Sequence, residues 1–193
     1  ENKGLSLPPP GAYAVAMCFL PQDEASRNFV IANFEEFVAK EGEDLRRRGV
    51  AVRMLGDLAR LSPPARAAVD RIEAATAGGS ELAFNICLSY GARAEIVRAA
   101  QQLATRVREG ALEPEAIDEA ALAAELYTSA WPDPDLLVRT SGEMRISNFL
   151  LWQVAYSEFH VTPVLWPDFT REDLFAAILD FQGRDRRFGR VSA

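Results

Sequence analysis

Arg139, Arg145, Ser147 and Glu158 fall within one twenty-residue stretch, RTSGEMRISNFLLWQVAYSE, residues 139–158. Each arginine presents a planar fork of donors that matches phosphate oxygens. Gly142 lets a ligand approach the backbone closely. The apolar run 148–156 predicts a helix starting behind Ser147. A serine at a helix start offers an anion its hydroxyl and the first unpaired backbone N–H groups. This donor set fits a diphosphate better than a single carboxylate. Glu158 lies eleven residues after Ser147 and adds a carboxylate, which beside phosphates is the usual setting for Mg2+. Spacing alone leaves a second reading open, a surface cluster of ion pairs with little energetic consequence. Phe149, Leu150, Leu151 and Trp152 belong to a core on either reading.

The elements that would position these residues read as an alternation. AYAVAMCF (12–19), VAVRMLGD (50–57), ELAFNICLSYG (81–91), DLLVRT (135–140) and TPVLW (162–166) are apolar runs of strand length. Between them lie helical patterns at 26–48, 62–79, 92–108 and 112–127, with a last helix at 172–181. Phe29, Ile31, Phe34, Phe37 and Val38 share one stripe of the first helix, and Gly49 follows as a stop. Prolines open and glycines close the second, the usual asymmetry. Strands apolar throughout and separated by helices imply an α/β fold, a mainly parallel sheet flanked by helices. In such folds ligands bind beyond the carboxyl ends of the strands, and Arg139 ends the run DLLV.

Composition narrows the class. The 193 residues suffice for one domain with a proper core, placed at 12–193 behind a loose, proline-bearing segment at 1–11. A net charge of −7 argues against a nucleic-acid partner. Cys18 and Cys87 sit in apolar runs without metal-type spacing and read as small core hydrophobes in a reducing, cytoplasmic setting. No run reaches the roughly 20 apolar residues of a membrane span, and ENKGLSLPPPG has no signal-peptide pattern. The basic groups at 46–48 and 184–190 read as solvated faces.

DLLVRTSGEMRISNFLLWQVAYSE, followed by VLWPDF and RRFG, closely resembles the cis-prenyltransferases, the undecaprenyl and dehydrodolichyl diphosphate synthases. The likeness extends back through VAVRMLGDLARL and FNICLSYGARAEIV, covering about residue 34 to the end. It implies a transferase of isoprenoid biosynthesis, joining isopentenyl diphosphate to an allylic diphosphate such as farnesyl diphosphate, with Mg2+ as cofactor. Arg139, Arg145 and Ser147 match the positions that bind isopentenyl diphosphate. Glu158 matches a metal ligand. Arg187, Phe188 and Gly189 match a terminal motif that reaches a neighbouring subunit's site, which implies a homodimer or heterodimer. The growing chain needs an apolar tunnel, and helices such as 29–38 could wall one. The resemblance also implies peripheral membrane contact, at the endoplasmic reticulum if the source is eukaryotic. His160 does not match the family's base position and reads as a packing or interface histidine.

One departure shapes the functional expectation. The family's Asp-Gly-Asn-Arg-Arg-Trp stretch does not occur, and VAMCFL stands at 15–20 where its Phe-Ser-x-Glu-Asn-Trp signature would fall. The expectation is a fold without the family's first strand and following helix, a truncated chain weakly active alone. The alternatives are a catalytically deficient partner subunit and a non-enzymatic isoprenoid-diphosphate binding module.

Overall fold

The computed structural model describes residues 13–17, 36–37 and 40–184. The expectations for 1–11, for Cys18, for most of 26–38 and for Arg187, Phe188 and Gly189 lie outside the described residues. The chain divides into two compact units, Glu1–Trp131 and Pro132–Ala193. Among the described residues each carries one wholly parallel sheet, confirming the α/β expectation.

In the first unit β1 (Tyr13–Met17), β2 (Val50–Leu55) and β3 (Leu82–Cys87) form a sheet in the order β1-β3-β2. Val50 lies opposite Leu82, Val52 opposite Phe84 and Met54 opposite Ile86. Strand side chains alternate between faces, so these six project together. The second helical pattern becomes α2 (Pro63–Thr76), entered through extended Ser62 with prolines in its first turn. Its buried residues Ala65, Ala68, Val69, Ile72 and Thr76 recur every three or four positions, which makes one stripe. Val69 and Ile72 pack with Val50, Val52, Met54 and Leu88 as a core cluster, fringed by Leu45 from the helical stretch 40–47 (α1).

Two side chains of α2 also close an edge of this sheet. β2 pairs only with β3 among the described residues. Thr76 Oγ1 accepts from Val52 N at 3.0 Å, and Glu73 Oε1 accepts from Met54 N at 2.7 Å. The strand's outward amides are therefore spent on the helix that covers it. Gly56 ends β2 at φ 137°, and a Cβ there would stand 2.1 Å from the Leu88 carbonyl oxygen.

α3 runs over Ala92–Arg108, as the pattern predicts, and buries Ala92, Glu95, Ala99 and Leu103. Glu95, 1% exposed, accepts from the Tyr90 hydroxyl at 2.5 Å and from Tyr127 N at 2.8 Å. The Arg98 guanidinium lies 4.1 Å from the Tyr127 ring centre. A helix over 112–127 is not found. Pro114 starts a 3-10 turn (Pro114–Ala116), and Asp118 accepts from Ala121 N at 2.8 Å, capping a shorter α4 (Glu119–Ala124).

In the second unit β4 (Leu136–Arg139) pairs with β5 (Glu158–Val161). The last strand is therefore 158–161 and not TPVLW at 162–166. Pro163 lies within that run and Pro167 follows it, and proline cannot donate to a ladder. Instead the carbonyls of Thr162 and Val164 accept from Gly142 N and Ser141 N, each at 2.8 Å. α5 (Arg171–Gln182) starts at a reciprocal capping box between Thr170 and Asp173.

Candidate functional site

Arg139 ends β4 as expected, and the chain turns sharply beyond it. Ser141 and Gly142 both adopt φ 64°. The helix predicted behind Ser147 is absent. Ser147, Asn148 and Leu150 take φ 53°, 60° and 48°, the left-handed region that breaks a right-handed helix. Ser147 is thus not a helix cap. Left-handed conformations in non-glycine residues are costly and collect at ligand sites. Buried Leu150 and Val154, 2% and 4% exposed, anchor the segment and hold it in this shape.

This turn brings Arg139 and Ser147 together. Arg139 Nη2 donates to Ser147 Oγ at 3.2 Å. A hydroxyl that accepts from arginine keeps its own proton to donate. Arg139 Nε is buried without a hydrogen-bond partner, and burying an unpaired charged donor is costly. An anion seated here would satisfy it. Arg145 stands apart, its side chain 70% exposed and paired with Glu143 at 2.6 Å. Such a surface pair contributes little and is readily exchanged for another anion.

Glu158 starts β5, opposite Leu136, whereas Arg139 lies opposite Val161. Strand alternation places Glu158 and His160 on one face of this small sheet and Arg139 on the other. No hydrogen bond joins Arg139 to Glu158 among the described residues. Glu158 instead accepts from Arg184 Nη1 at 2.9 Å, and Arg184 Nη2 donates to Asp180 at 2.7 Å. His160 Nδ1 lies 2.8 Å from Asp180 Oδ2. Hydrogen bonding to His160, and then to Arg184, holds the Asp180 carboxyl below its ordinary range. His160 is tied into this chain of contacts, in keeping with a packing role.

Glu158 gives Arg184 one carboxylate oxygen, Oε2, and no cluster of three metal-binding side chains exists among the described residues. That fits Mg2+, which takes one or two carboxylates and fills its octahedron with phosphate oxygens and water. Sequence reading missed Arg184 and Asp180. Their spacing of four across the end of α5, the interval at which helical side chains meet, was the available signal.

The family model of undecaprenyl diphosphate synthases matches residues 12–189. An isoprenyl transferase of Prochlorococcus marinus is 50% identical over 171 residues, which make 89% of this chain and 64% of that protein. The chain thus spans somewhat less than two thirds of that relative. A ditrans,polycis-undecaprenyl-diphosphate synthase ((2E,6E)-farnesyl-diphosphate specific) of Xanthomonas campestris pv. campestris is 43% identical over 192 residues, 100% of this chain and 74% of that protein. The crystal structure of lavandulyl diphosphate synthase from Lavandula x intermedia, in complex with dimethylallyl diphosphate, superposes with a TM-score of 0.88 at 31% identity. It covers 92% of this chain and 79% of that one.

Proposed function

The chain belongs to the undecaprenyl diphosphate synthase family, the cis-prenyltransferases, and on that premise we propose that it works in polyprenyl diphosphate synthesis. The reaction joins C4 of isopentenyl diphosphate to an allylic diphosphate, with loss of pyrophosphate and a proton. Farnesyl diphosphate is the allylic substrate proposed, because the Xanthomonas relative carries that specificity in its name. The diphosphate of isopentenyl diphosphate sits on Arg139 and Ser147, with Arg145 leaving Glu143 to close over it. Glu158 is the carboxylate that holds Mg2+, which when bound neutralises diphosphate charge.

Arg139 carries the reading: its Nε is buried and unpartnered while Nη2 holds the Ser147 hydroxyl. A preorganised donor pair of this kind costs no reorganisation when the anion arrives. Glu158 and Arg139 lie on opposite faces of their sheet, which favours a site completed by a second subunit. Phe159, Leu165, Trp166 and Leu179 are 41%, 56%, 67% and 56% exposed and supply an apolar surface for such a dimer. Among the described residues no helix is long and apolar enough to cross a membrane.

Calorimetry with isopentenyl diphosphate tests the assignment. Each charge-assisted contact contributes about 1.5–3 kcal/mol, so Arg139→Ala with Arg145→Ala should weaken binding by at least about a hundredfold. Equal binding by wild type and the double variant would reject it.

A further inference from the structure

Glu158 and Asp180 share one guanidinium. Arg184 sends Nη1 to Glu158 Oε2 at 2.9 Å and Nη2 to Asp180 Oδ2 at 2.7 Å. His160, on the same sheet face as Glu158, meets that same Asp180 oxygen, its Nδ1 2.8 Å from Oδ2.

That division has an electrostatic consequence. An arginine given wholly to Glu158 would cancel its charge and oppose a cation at the second carboxylate oxygen. Shared with Asp180, it leaves the set of two carboxylates and one guanidinium at a formal −1. Glu158 Oε1 has no hydrogen-bond partner among the described residues. The bond from Arg184 Nη1 also ties down Glu158 Oε2.

We infer that Arg184 and Asp180 are positioning residues that orient Glu158 and keep its charge available to a divalent cation. The inference rests on the reading of Glu158 as a cation ligand. Asp180 acts in it only through Arg184: it accepts from Nη2 and so shares the guanidinium's charge with Glu158. Partners behind a metal ligand commonly govern affinity in this way.

Mn2+ serves as the probe. Its binding to the 193-residue chain, with inorganic pyrophosphate present, is followed by loss of the free-ion electron paramagnetic resonance signal. Melting temperature without cation is recorded for every variant. Glu158→Gln should abolish the bound component. Asp180→Asn should weaken it roughly tenfold. Added to Arg184→Gln, the same Asp180→Asn change should shift affinity by less than about twofold, since coupled residues are non-additive. A purely structural role would lower the melting temperature and leave cation affinity unmoved.

Unchanged affinity in Asp180→Asn, or an equal loss with and without Arg184, overturns the inference, while a loss in Glu158→Gln keeps Glu158 as the ligand. Retained binding in Glu158→Gln, or none by the parent chain, overturns the reading of Glu158 and the inference with it.

Discussion

A single residue, Arg139, joins the fold to the proposed chemistry: its backbone ends a strand and its side chain is left with an unmet donor. Its partnership with Ser147 spans eight residues and was legible in the sequence as donor types at close spacing. The Glu158–Arg184 pair spans twenty-six, and only the folded β5–α5 arrangement brings it together. That distance explains why the partner of Glu158 was read as a solvated basic tail. Cys87 shows residue-scale physics of another kind. Burial, and then the nearby Glu95 carboxylate, push its thiol from 9.0 up to about 12. A folded-state value above the unfolded one favours the protonated thiol in the native state. Its stabilising contribution is therefore full below about pH 9 and is lost as pH rises towards 12. Denaturant midpoints followed from about pH 8 to 11 should fall more steeply for wild type than for Cys87→Ala. Parallel curves would show that the thiol ionises alike in the folded and unfolded chain.

At the scale of elements, those with explicit punctuation were read well. α3 begins after Gly91 and ends before Gly110, and α5 follows a threonine cap. The segment 148–156 was misread because an apolar run says only that residues are buried. Three left-handed residues, each a local cost met by the burial of Leu150 and Val154, decide its path instead. Residues 162–166 were misread as a strand because their hydrophobicity outweighed Pro163 within the run and Pro167 after it. The turn after β2 makes a sharp prediction. Gly56 has φ 137°, and any Cβ would stand 2.1 Å from the Leu88 carbonyl. Relief would have to break the bond from Leu88 N to Leu55 O. Gly56→Ala should cost at least about 2 kcal/mol, read as a lowered urea midpoint. An unchanged midpoint would mean that this turn relaxes freely.

For the molecule as a whole, the proposed reaction needs two diphosphates held in attack geometry, and misplacement alone costs about a hundredfold. The Asp-Gly-Asn-Arg-Arg stretch that handles the allylic diphosphate in the family is not among these 193 residues. Alone, they should transfer little isopentenyl diphosphate onto farnesyl diphosphate with Mg2+. A longer chain or a partner subunit bearing that stretch should restore transfer. Labelled substrate measures product, and light scattering on the same samples reports whether activity follows association. Robust long-chain product from the 193 residues alone would place the allylic site within them. The α/β class and the loop after β4 were legible at this scale, because parallel strands and donor-rich loops leave patterns in sequence. The division into two sheets was not, because strand order is settled by pairing between distant segments.

The lock that α2 places on β2 also bears on the protein's solubility. An exposed row of strand amides is a template on which a stranger's chain can crystallise into cross-β fibre. Thr76 and Glu73 deny that template by occupying the amides of Val52 and Met54. Thr76→Val with Glu73→Ala should therefore seed thioflavin-positive fibrils sooner than an Ala68→Gly control chosen for equal loss of stability. Equal lag times in the two variants would mean that the lock serves stability alone.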